Sequence, residues 1–192
     1  MYAKNVDIKM PAMNQPIGFD LTAGDWVQPF GKGTTSDFIF TMSQTLNGPR
    51  DFNVKLLLAF TNEGDGLQVA PQSSWQTQGG SRLKFPHNAP QVGYKGNWTT
   101  TLWHTLTSSN EGASNVMGYF IRVRTSKNAL GEVQSADYGK INGDFCIMGA
   151  ATLHPGISFT YYFNPTGTTN LEFDTTKNLL KNLQFLEQVQ YP

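Results

Sequence analysis

Cysteine is almost missing: Cys146 is the only one in 192 residues, which excludes a disulfide framework within the chain. It lies between Phe145 and Ile147, with no cationic neighbour or helix start to lower its pKa, so it reads as a small buried hydrophobe and not as a nucleophile. Charge is scarce too, at 15% of residues against the roughly 25% usual for soluble domains, and it balances, with 14 basic and 14 acidic residues. No basic arm or run offers a phosphate-binding groove. A surface this weakly charged suggests neighbours. Long apolar runs are lacking as well, the longest being Leu56 to Phe60, far short of a membrane span. The first twenty residues carry Lys4, Asp7 and Lys9 without the apolar core of a secretory leader, so folding in the cytosol is the expectation.

Histidine is limited to His87, His104 and His154, none of them spaced with another ligand as a zinc site requires. No metal or cofactor is expected. The loop Asn62-Glu63-Gly64-Asp65-Gly66 lacks the alternating ligands and closing glutamate of a calcium loop and reads as a solvated turn. Gly31 to Thr35 lacks the spacing of a phosphate loop and reads as another turn. Asn97-Trp98-Thr99 is a formal glycosylation sequon, of consequence only in a secreted chain. Carboxylates at Asp20, Asp25, Asp37, Glu63, Asp65, Glu132, Asp137 and Asp144 are scattered, and only a fold could pair them for glycoside chemistry. No catalytic residue is assigned, and the chain does not read as an enzyme.

What the chain has is alternation. Phe38, Phe40 and Met42 share one face, as do Phe52, Val54, Leu56, Leu58 and Phe60, and Asn47-Gly48-Pro49 turns between them, so the two runs are expected to be antiparallel neighbours. Further runs follow at Arg82 to Pro86, at Trp98 to Leu106 and through Ile157, Phe159, Tyr161 and Phe163. Polar loops are expected over 70–80 and 107–114. The organising segment is Met117 to Leu153. In it Tyr119, Ile121 and Val123 face the core, Phe120, Arg122 and Arg124 face away, and Phe145, Ile147, Ala151 and Leu153 form the face of a second strand after a polar connection through Leu130-Gly131 and Asn142-Gly143. Short runs divided by turn clusters indicate an all-β sandwich or barrel. Residues 1–16 read as an extended arm, 17–167 as the domain, and 168–192 as a tail in which Asp174 or Thr175 caps a short amphipathic helix bearing Leu179, Leu180, Leu183 and Leu186.

Taken in order, Asp51 to Phe60, Phe85-Pro86-His87, Thr99 to His104 around Trp103, Gly118 to Val123 and Gly139-Lys-Ile-Asn-Gly-Asp-Phe145 resemble the coat proteins of picorna-like plant viruses, the secovirids (comoviruses, nepoviruses and cheraviruses). The likeness is to the C-terminal domain of the comovirus large coat protein, over roughly residues 36–155. The resemblance implies an eight-stranded jelly-roll sandwich, serving as a capsid subunit that assembles with sister coat proteins into an icosahedral shell around single-stranded RNA. That RNA would be met weakly and non-specifically, with no membrane partner, and the protein would reside in the virion and, during assembly, in the host cytoplasm. Arg122 and Arg124, the outward arginines, are the expected subunit or RNA contacts. The rival is a secreted adhesin of β-sandwich type, binding carbohydrate or protein through Trp75, Tyr94, Trp98 and Trp103; a jelly-roll carbohydrate-active enzyme comes third.

Overall fold

Among the described residues ten strands carry the fold. The computed structural model describes residues 1–70, 85–110 and 116–191. The strands are β1 (Tyr2–Lys9), β2 (Ile17–Asp20), β3 (Asp25–Trp26), β4 (Phe38–Gly48), β5 (Asp51–Ala59), β6 (Gly66–Val69), β7 (Asn97–His104), β8 (Gly118–Lys127), β9 (Val133–Met148) and β10 (Gly156–Asn164). They form two five-stranded antiparallel sheets, one ordered β1-β10-β9-β8-β6 and the other β3-β2-β4-β5-β7. The architecture is therefore an all-β, two-sheet sandwich. Strands β8, β9 and β10 follow one another within the first sheet as a meander, and β4 and β5 pair directly around Asn47-Gly48-Pro49-Arg50. Among the described residues no helix is long and apolar enough to cross a membrane.

Alternation builds the core. Phe38, Phe40 and Met42 of β4, Val54, Leu56 and Leu58 of β5, and Ile157 and Phe163 of β10 are all fully buried between the sheets. Aromatic rings fill the middle: Phe145 lies 5.1 Å from Phe159 and 5.9 Å from Phe40, centroid to centroid, in the tilted and edge arrangements that ring quadrupoles favour. Trp98 is fixed there too, its indole N–H donating to the Tyr119 hydroxyl at 3.1 Å.

Several expectations change. Residues 2–9, read as part of an arm, are strand β1, paired along its whole length with β10 because Tyr2, Lys4, Val6 and Ile8 alternate inward. The polar connection at Asn142-Gly143 lies inside β9, where Gly143 takes a positive φ of 78° next to a register shift against β10. A glycine absorbs that bulge cheaply. Cys146 is exposed, not buried, since it falls on the outer face at the uncovered end of β9; Leu153, beyond the end of β9, is exposed as well. The expected run at Arg82 to Pro86, the polar loop over 70–80 and part of that over 107–114 lie outside the described residues, apart from Phe85, which is buried.

The outer face of the first sheet is covered, so β8 is buried on both sides and not on one. One cluster joins Phe120 and Tyr138 to Phe85, Ala89 and Leu171, and another joins Ala3 and Tyr162 to Phe173 and Val189. The tail supplies part of both. It holds two isolated 3-10 turns, Thr175–Lys177 and Phe185–Glu187, in place of the expected amphipathic helix. Asp174 does cap the first turn, accepting from the Thr176 amide at 2.9 Å, but Asn182 at φ 59° forbids continuation and Leu186 stays exposed.

The tail caps the open edge of β1. The Asn178 side chain pairs with Ala3 as a strand would, accepting from its N–H at 3.1 Å and donating to its carbonyl at 2.7 Å, and the Leu179 amide reaches the Met1 carbonyl at 3.0 Å. Asn5 donates to the Leu186 and Gln188 carbonyls, and Lys4 pairs with Glu187 at 2.8 Å. An open edge strand invites pairing with other chains. Deleting residues 174–192 is accordingly expected to lower stability by about 2–3 kcal/mol, from lost burial of Val189 and the lost edge bonds. A urea midpoint unchanged by the deletion would show that the tail does not dock on its own chain.

Candidate functional site

Of the two arginines expected to face outward, Arg122 does and Arg124 does not. Arg122 and Arg124 sit in the middle of β8, where the β8–β9 ladder shifts register after Val123 and Arg124 adopts φ 57°. Asp65, only 3% exposed, fixes that bulge by accepting from the Arg124 and Thr125 amides at 3.2 and 2.8 Å. The acidic loop read as a solvated turn is therefore a structural clamp. The bulge swings the Arg124 side chain toward the second sheet. There its Nε and Nη2 bind both oxygens of Asp37 at 2.8 and 2.9 Å, Asp20 lies 3.7 Å away, and the guanidinium carbon stands 5.0 Å from the Phe163 ring centre.

Asp20 and Asp37 are both buried, 1% and 2% exposed, yet their environments differ. Burial pushes the Asp37 carboxyl up, opposed by Arg124 and the Leu21 amide. Burial would also raise Asp20, but the Thr22 hydroxyl and the amides of Thr34, Thr35 and Ala23 outweigh it and hold Asp20 low. The loop over Gly31–Thr35 thus serves to satisfy Asp20. Asp37-Arg124-Asp20 ties the two sheets together. Asp137 also faces Arg124, while four of the other carboxylates are engaged elsewhere. Asp25 caps the Trp26 and Lys32 amides, Glu63 binds Lys127 at 2.6 Å, Glu132 accepts from Asn128, and Asp144 accepts from the Tyr119 hydroxyl.

Arg122 points to the outer face. It is 8% exposed, donates from Nε to the Gly64 carbonyl and from Nη1 to the Gln91 carbonyl, each at 2.7 Å, and its guanidinium carbon lies 4.7 Å over the Tyr94 ring. It forms the inner end of a cleft of about 580 Å³ between residues 91–94 and the β8–β9 hairpin, lined also by Lys127, Gln134, Ser135 and Tyr138. Burial raises the Tyr94 phenol well above its ordinary value, and its hydroxyl donates to the Pro90 carbonyl. Of the four aromatics named for an adhesin, Tyr94 alone lines this cleft. Trp98 is packed against Tyr119 and Phe145, the Trp103 backbone is bonded to Asn110, and Trp75 lies outside the described residues.

The histidines remain apart: His87 meets Glu172 at 2.6 Å on the surface, His104 meets the Arg50 carbonyl, and His154 is exposed. Among the described residues no three His, Cys, Asp or Glu side chains are grouped to hold a metal. Burial and the nearby Asp144 raise the Cys146 thiol, the opposite of what a nucleophile needs.

Lys140 is what sequence reading missed. It sits in β9 with 1% exposure, its Nζ 4.5 Å from the Tyr162 ring centre and 5.5 Å from that of Phe85, with no hydrogen-bond partner among the described residues. Burial lowers its pKa to about 8. The signal available in sequence was its place among Tyr138, Gly139 and Ile141, a run more apolar than a solvated strand face. Compared with known proteins, the chain matches no family model, no curated protein and no solved structure.

Proposed function

We propose that the chain is a structural coat subunit, assembling with sister subunits into an icosahedral shell around RNA. The observation that carries this reading is the placement of the segments on which the resemblance rests. Asp51 to Phe60 falls on and just past β5, Thr99 to His104 on β7, Gly118 to Val123 on β8 and Gly139 to Phe145 on β9, in order, within a two-sheet sandwich. The finer form of the expectation is an eight-stranded jelly roll. With ten strands and the β8–β9–β10 meander, the proposal rests on the two-sheet frame and does not depend on that wiring.

One part of the reading is revised. Arg124 is spent on Asp37 and Arg122 lies recessed in a cleft, so contact with RNA or with a neighbouring subunit falls mainly to other residues. The test is co-expression with the sister coat proteins followed by negative-stain microscopy. Closed particles containing this chain are expected; a chain that stays monomeric beside particles formed without it overturns the proposal.

A further inference from the structure

The cleft at Arg122 ends on a buried cation that has no acid of its own. Arg124, two residues away, meets two carboxylates, whereas Arg122 meets two carbonyls and a ring and forms no ion pair among the described residues. A guanidinium taken out of water without an anion is costly. Two of its five N–H donors are used on Gly64 and Gln91, and three remain for a planar acceptor. The charged residues that line the cleft are Arg122 and Lys127, and no carboxylate lines it among the described residues. Lys127 at the rim is held by Glu63 at 2.6 Å, so that pair is neutral. Asp137, behind the wall at Gly167, accepts from the Gly167 amide and faces Arg124, and Asp65 spends its oxygens on Asn62, Arg124 and Thr125.

The rest of the lining is uncharged, with Val92, Val133 and Ala136 set among polar groups. Gln91 and Gln134 are exposed on the cleft, beside Ser135 and the glycines at 93, 131 and 167. About 580 Å³ falls within the roughly 300–1,000 Å³ of small-ligand sites. A single buried arginine suits one carboxylate; a polyanion would need more cations than the site holds. We infer that this cleft binds a small hydroxylated carboxylic acid, an acidic sugar, with its carboxylate on Arg122 and its hydroxyls on Gln91 and Gln134. This site is independent of the shell proposal and stands or falls apart from it.

The experiment titrates glucuronate into the full chain by calorimetry, with glucose and acetate as controls. Saturable binding of glucuronate is expected, with glucose and acetate each weaker by about tenfold or more. Arg122→Gln should abolish it. Because Arg122 also holds Gly64 and Gln91, that variant can lose its fold, so Gln134→Trp serves beside it: from its exposed position it fills the cleft mouth, and binding should be lost while the thermal midpoint is unchanged. No binding to the unaltered chain, or binding that survives Gln134→Trp, overturns the assignment of the site. Glucose or acetate binding as tightly as glucuronate overturns the assignment of the ligand.

Discussion

Arg124→Ala is expected to destabilise the protein by about 3 kcal/mol, among the largest effects of any single substitution outside the aromatic core, because it strips a buried carboxylate of its cation. Asp37 has no exposed side-chain surface and receives both guanidinium bonds. With the arginine gone, only the Leu21 amide is left to it, while Asp20 stays nearby. Asp37→Asn should cost less, since a neutral amide tolerates burial better than an unpaired charge. The double variant should cost less than the sum of the singles by more than about 1 kcal/mol, the sign of a coupled pair. The pH dependence follows from the raised Asp37 carboxyl. A folded-state pKa above the unfolded value of 3.8 means that ionised Asp37 is a burden on the fold above that range, lifted as pH falls toward 3.8. Losing Arg124 enlarges that burden. The gap between the unaltered chain and Arg124→Ala should therefore be widest at neutral pH and narrow as pH falls through the Asp37 titration. Asp20, held low, works in the opposite sense, its contribution being lost only at still lower pH. Denaturant melts from pH 7 to pH 4 measure the Asp37 effect, and a gap independent of pH would falsify the pairing as the cause.

The sheets were legible in the sequence where each strand face has a single character. Phe38-x-Phe40-x-Met42 and Ile157-x-Phe159-x-Tyr161-x-Phe163 announce strands because side chains alternate with period 2, and a one-residue slip would turn their five aromatics out of the core between the sheets. Arg122 and Arg124 misled for a physical reason. Locally they are outward charges beside one apolar face, and what buries them comes from far along the chain: Asp37, 87 residues from Arg124, and Gln91, 31 residues from Arg122. A bulge marked by no glycine, with Arg124 itself in the left-handed region, turns the side chain inward. The tail misled differently. Leu179, Leu180, Leu183 and Leu186 have helical spacing, but a helix would spend the backbone and the asparagine side chains on itself. Here Asn178 and the Leu179 amide are spent on the edge of β1, and Leu180 packs on the main core.

Lys140→Met is expected to stabilise the protein, by about 1–2 kcal/mol at pH 7, although it removes a charged residue from a strand. The ammonium is buried without a hydrogen-bond partner among the described residues, and burial alone lowers its pKa from 10.5 to about 8. Two and a half pH units correspond to roughly 3 kcal/mol of penalty on the charged form. The Tyr162 and Phe85 rings, 4.5 and 5.5 Å away, return part of this by cation–π attraction, on the order of 1 kcal/mol each, and methionine keeps the volume and the ring contacts. The sign of the pH dependence separates this account from ordinary repacking. With the folded pKa below the unfolded one, the unfolded chain binds the extra proton, so the penalty is present in full below about pH 8 and is relieved as pH climbs to 10.5. The unaltered chain should gain stability across that window relative to Lys140→Met, and the advantage of the variant should shrink toward zero. Lysine lies beneath the seam between Phe85 and Tyr162, and Tyr162 in turn holds Phe173 at 5.3 Å and the Tyr191 carbonyl at 2.9 Å. Relief should therefore reach the tail, and amide exchange around 173–191 should slow in Lys140→Met at pH 7. A variant less stable than the unaltered chain at pH 7, or one whose advantage persists at pH 10, would mean that the ammonium is solvated in solution and that its rings alone decide its worth.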